Sequence, residues 1–170
     1  MITTVNLNPT WTVPLSIVKK DIVTKMRKDP GYVSRLNMRV LDAQGQEIDP
    51  KTVDWKSDRA PNFTIRQDSG AGNALGALRI DMPNPHSVYM HDTNQRYLFQ
   101  NSSRSLSHGC VRVQEWQKLA YYLLRYDSAA SLRPIKGSYA PADSLRAWMD
   151  RKEKHVLPIQ NRMPVYFRYF

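Results

Sequence analysis

Between residues 30 and 72 the chain meets a breaker every few positions: Pro30-Gly31, the turn Ala43-Gln44-Gly45, Asp49-Pro50 and Ala60-Pro61. Proline removes a backbone donor and fixes φ, and glycine lets the chain reverse, so no helix or strand of ordinary length fits inside this stretch. It holds short pieces only, with Met38 to Leu41 as a possible strand. Such a region is expected to make a poor core and a good lid. Long irregular stretches are functional or disordered, and the aromatic side chains of Tyr32, Trp55 and Phe63 argue for order. The scaffold must therefore come from the flanks.

Residues 2 to 7 alternate in polarity and are rich in Ile, Thr and Val, the pattern of a half-buried strand, which Asn8-Pro9 ends. From Pro14 to Lys28 the apolar positions Leu15, Val18, Ile22, Val23 and Met26 recur at helical spacing, with Thr12 available as a cap and Asp29-Pro30 as the stop. Ala77 to Met82 and Val88 to His91 read as strands, and the intervening Pro83-Asn84-Pro85 suits an antiparallel connection. A strand-like Cys110 to Val113 leads into a helix over Gln114 to Arg125, whose face carries Trp116, Leu119, Ala120, Leu123 and Leu124. Ala140-Pro141 opens a short helix to about Arg151, and Val156 to Ile159 and Val165 to Phe170 are β-prone. There is no internal repeat.

A length of 170 residues suits one domain that needs no disulfide, and the single cysteine can form none within the chain. No apolar run reaches the roughly 18 residues of a membrane span. The start, Met-Ile-Thr-Thr-Val-Asn-Leu-Asn-Pro, lacks the basic and apolar parts of a secretory signal. The formal charge of +10 favours polyanionic partners, but the cations are scattered, as at Lys19, Lys20, Arg104, Arg112, Arg151, Lys152 and Lys154. They do not form the stripe of a nucleic-acid reader, and no nucleic-acid partner is expected.

The chemistry concentrates in two places, His91-Asp92-Thr93 and Ser107-His108-Gly109-Cys110-Val111-Arg112, with histidine and cysteine nineteen positions apart. A thiol attacks as thiolate, and an imidazole, a cation or backbone N–H groups can supply that form near neutrality. Gly109 permits a tight turn, so the N–H groups of Gly109 and Cys110 can together meet a developing oxyanion. Arg112, two residues along a strand, shares the face of Cys110 and can hold a carboxylate. The plainer alternatives stay open: a lone cysteine is often a core residue, and a lone histidine often closes a strand end. Zinc on His91, His108 and Cys110 would lack a fourth ligand and the usual spacing, so no metal is expected, and no cofactor motif is present.

The Ser107 to Arg112 run, preceded at this distance by His91, resembles the signature of YkuD-type L,D-transpeptidases. Asn8-Pro9-Thr10-Trp11-Thr12-Val13-Pro14, Lys28-Asp29-Pro30-Gly31-Tyr32, Val53-Asp54-Trp55, Gly72-Asn73-Ala74-Leu75-Gly76 and Tyr89-Met90-His91-Asp92-Thr93 extend the likeness to a long-lidded, YcbB-like branch. The resemblance implies an α+β fold: a mostly antiparallel or mixed β catalytic domain over residues 1 to 170, a helical lid inserted at about 11 to 75, and a helix after the nucleophile strand. It also implies a domain trimmed at both ends.

By the same resemblance, Cys110 attacks a tetrapeptide stem beside diaminopimelate, D-alanine leaves, and an amine of a second stem resolves the thioester into a 3→3 cross-link of peptidoglycan. His91 serves as base and then acid; because the adjacent Asp92 side chain on a strand points to the opposite face, a backbone carbonyl is expected as the ring's orienting partner. Tyr89, Trp11 and Asp92 are expected at the substrate, and Ser107, His108, Gly109 and Arg112 in support. Carbapenem β-lactams are expected to acylate the thiol, and the location implied is the periplasm or cell envelope. Hydrolysis by water would make the chain an L,D-carboxypeptidase, and a protein amine a lipoprotein-anchoring enzyme. From another class, the charge suits a non-catalytic module binding anionic cell wall or nucleic acid.

Overall fold

Alternation makes the first strand: Val5 and Leu7 are buried on one side of β1 (Thr4–Leu7), and Thr4 and Asn6 occupy the other. Asn8, at φ +46°, then turns the chain out of the ladder. The structure is a computed structural model and describes residues 1–124, 142–159 and 161–168. Its further strands are β2 (Trp11–Thr12), β3 (Met38–Leu41), β4 (Glu47–Ile48), β5 (Thr64–Gln67), β6 (Leu78–Asp81), β7 (Met90–His91), β8 (Val111–Arg112) and β9 (His155–Pro158). The helices are α1 (Leu15–Ile17), α2 (Val23–Lys28), α3 (Tyr32–Arg35), α4 (Trp116–Leu124) and α5 (Ala142–Asp150), so the fold is α+β. Two compact units result, one of Met1–Pro9 with Ala74–Phe170 and one of Thr10–Asn73.

In the first unit the strand order is β8-β7-β6-β1-β9, antiparallel throughout except for the parallel pair β7 and β8. One face is apolar. Val5, Leu7, Leu78, Ile80, Met90 and Leu157 bury themselves there with Trp116, Ala120, Leu123 and Leu124 of α4 and Leu145 of α5. Each such Leu, Ile or Val contributes about 1.5–3 kcal/mol by leaving water. The ladder sets the other face: Asn6 opposes Arg79, Arg79 opposes His91, and His91 opposes Arg112. Side chains opposite one another in a ladder share a face, so a polar row crosses four strands there.

Two expectations change in this unit. Cys110 precedes β8 and is not part of it. No strand forms over residues 165–168: Met163 accepts the Ile2 N–H at 2.9 Å, after which Tyr166 (81% exposed) and Phe167 (53%) leave the sheet. The sequence signal there was β propensity without a buried face to pair it. Arg125, the Ala140-Pro141 helix start and residues 169–170 lie outside the described residues.

The Thr10–Asn73 unit carries an antiparallel sheet in the order β2-β5-β3-β4 besides its helices. Val18, Ile22, Val23 and Met26 line one side of a rod made of α1, a π-helical turn at Val18–Ile22, and α2. They pack with Val13, Val33, Met38, Val40, Trp55, Ala60 and Ile65, so the poor core expected of this segment is a true core. Two-residue strands such as β4 leave too little periodicity to read, and their pairing is tertiary. Thr12 does not cap the helix: it lies in β2 and pairs with Arg66 of β5, and Pro14 takes the cap position. No helix among the described residues is long and apolar enough to cross a membrane.

Candidate active site

His91 ends β7 and is buried at 6% exposure. Its Nδ1 meets the carbonyl oxygen of Asp92. A carbonyl can only accept, so Nδ1 carries the proton and Nε2 presents its lone pair. Burial, first, holds the ring below the ordinary histidine value of 6.5; the Asp92 carbonyl pulls it back up and the Arg112 charge pushes it down further. The ring is therefore neutral near pH 7, in the state a proton acceptor needs. Arg112 reaches it because parallel pairing sets the two residues opposite each other. The Arg112 Nε is buried without a hydrogen-bond partner among the described residues.

Cys110 is partly exposed at the end of a turn built by Ser107. The Ser107 hydroxyl donates to the Cys110 carbonyl at 2.8 Å and accepts the Gly109 N–H at 3.1 Å. Gly109 sits at φ +121°, where side-chain-bearing residues are strained, although a Cβ there would meet only Val88 Cγ2 at 3.9 Å. Backbone geometry, not space, requires the glycine. The segment is pinned to β7 by Val111 N–H to Tyr89 O at 3.0 Å and Val113 N–H to His91 O at 2.8 Å. Of the expected oxyanion pair, the Gly109 N–H donates to the Ser107 hydroxyl, and the Cys110 N–H has no acceptor among the described residues. Among the described residues no hydrogen bond joins the thiol to the His91 ring; catalytic contacts often close only with substrate bound.

Tyr89 lies edge-on to His91 at 5.8 Å between ring centroids, and the Arg79 guanidinium lies 5.7 Å from the Tyr89 ring centroid. Arg79 pairs with Asp81 at 2.9 Å, and Asn6 donates to Asp81 at 2.8 Å. Arg79 and Asp81 went unnoticed in the sequence, although polar residues at alternate positions of an otherwise apolar strand were the available signal. His108 is exposed. Asp92, expected at the substrate, is 2% exposed, and its carboxylate accepts the Ala77 N–H at 2.9 Å and Arg96 at 3.0 Å. Both of its oxygens are engaged by groups of the protein itself. Trp11 belongs to the Thr10–Asn73 unit, where it pairs with Gln67 and packs against that unit's core.

Residues 1–130 match the family model of the YkuD L,D-transpeptidase catalytic domain. The chain is also 40% identical over 120 residues to a Haemophilus influenzae protein named "Putative L,D-transpeptidase". That match takes in 70% of this chain and 24% of the relative, so the chain spans about a quarter of the length of the curated protein it matches.

Proposed function

Because the chain belongs to the YkuD L,D-transpeptidase catalytic-domain family, we propose that it forms 3→3 cross-links in peptidoglycan through a thioester on Cys110. His91 Nε2 takes the thiol proton, and the sulfur adds to the carbonyl carbon between diaminopimelate and the terminal D-alanine of a tetrapeptide stem. The oxyanion draws on the Cys110 N–H and the Arg112 charge. Collapse breaks the C–N bond, and His91 returns the proton to the departing amine. The side-chain amine of a second stem then adds to the thioester, loses its proton to His91, and expels the thiolate as the new amide forms. The thiolate regains its proton from the imidazole, and the cycle closes. This chemistry places the protein in the cell envelope, where its stem peptides are.

The observation that carries the reading is the fixed imidazole: its Nδ1 is tied to a carbonyl, its Nε2 is left basic, and it stands opposite Arg112 on the strand that follows Cys110. The test is intact-mass spectrometry after incubation with a carbapenem, beside cross-link analysis on tetrapeptide substrate. The parent should gain one drug equivalent and make cross-links, and Cys110→Ala should do neither. Cross-links formed by Cys110→Ala would sink the proposal.

A further inference from the structure

Asp92 does two things with two parts of itself. Its carbonyl holds His91 Nδ1, while its carboxylate is clamped from two sides. Oδ2 accepts the Ala77 N–H at 2.9 Å, and Arg96 Nη2 lies 3.0 Å from both oxygens. Gly76 makes room for this: it sits at φ +61°, and a Cβ there would fall 2.2 Å from Asp92 Oδ2 and 2.5 Å from Cγ. The Asp92 N–H donates to Leu78 O at 2.9 Å, so the residue is held by main chain as well. Arg96 in turn lies 5.8 Å from the ring centroid of Trp116, which opens the helix leading away from the Cys110 segment.

We propose that Gly76, Asp92 and Arg96 form a positioning latch, in which the clamped carboxylate fixes the peptide whose carbonyl selects the Nδ1–H tautomer of His91. Through Trp116 the same arginine ties that peptide to the helix behind the nucleophile. The residue types follow from the geometry. Alanine at 92 would leave the Ala77 N–H without its acceptor, and asparagine would turn a neutral amide toward a cation. The carboxylate acts through the carbonyl of its own residue, so Asp92 and Arg96 are positioning residues and do not touch substrate. The consequence for turnover rests on the reading of His91 as the base, but the tautomer does not.

The experiment is therefore done on two readouts, with the whole chain. Nitrogen-15 NMR of the histidine rings reports which nitrogen of His91 bears the proton, and intact mass reports the rate of acylation by a carbapenem. The parent should show the Nδ1–H form. Arg96→Met, at a side chain 58% exposed, and Asp92→Asn should keep the fold by circular dichroism, show the Nε2–H form, and acylate on the order of ten- to a hundredfold more slowly. Arg96→Lys, which keeps the charge, should fall between and decides the matter if either variant melts too low to measure. Folded variants with the parent's tautomer and rate would overturn the latch. A changed tautomer in the variants of a parent that takes no carbapenem would uphold the latch and remove the transpeptidase reading.

Discussion

Arg112 places a positive charge across the ladder from a ring that must stay neutral to act as a base. Desolvation already favours the neutral ring, and Arg112 adds to it. Under the proposed mechanism the base form therefore persists below pH 6.5, and activity is expected to be lost as pH falls through the lowered folded value. The acid limb of the acylation rate should lie below pH 6.5 in the parent. Replacing Arg112 by Gln removes one of the two lowering influences, so the limb should move upward while burial keeps it from rising far. A stopped-flow pH profile of both proteins checks this, and an unmoved or downward limb would mean that the Arg112 charge does not reach the ring. At this scale the motif marked His91, Cys110, Gly109 and Arg112 as the candidates. Arg79 and the partners of the Asp92 carboxylate were not legible, because both depend on what stands on neighbouring elements.

Elements place these residues, and the turn before β8 shows the cost of doing so. Gly109 has open space beside it and an unfavourable φ for any other residue. Gly109→Ala and the bulkier Gly109→Ser should therefore cost similar amounts, about 1–3 kcal/mol each, as denaturant unfolding would measure. A much larger cost for serine would mean that packing, not backbone strain, sets the requirement. Gly76 is the opposite case, since a Cβ there collides with Asp92 whatever the backbone does. Long elements with clear periodicity, such as the helix bearing Leu119, Ala120, Leu123 and Leu124, were readable along the chain. The short strands β2, β4 and β5 were not, because two to four residues form a strand only when a partner supplies the other half of each hydrogen bond.

In the whole molecule the two units are connected in a particular way. β1 ends at Leu7 opposite Leu78, where β6 begins, and Asn8 N–H reaches Ala77 O at 2.8 Å. Those two antiparallel strands would form a plain hairpin if the 64 residues of Thr10–Asn73 were not inserted between them. Replacing residues 10–73 by a short Asn-Gly turn should leave the first unit folded, with the amides of β1 and β6 protected from hydrogen exchange. An unfolded product would show that the sheet depends on the insertion.

The sequence by itself determined the candidate residues for the chemistry, the amphipathic helices and the strands long enough to alternate, since each is written in neighbouring positions along the chain. Only the tertiary structure decided that the breaker-rich segment has its own core, that Arg79, His91 and Arg112 share one row, and that the Gly109 N–H is already taken. Strand pairing and a competing hydroxyl set these, and such contacts join residues whose separation along the chain carries no period to read.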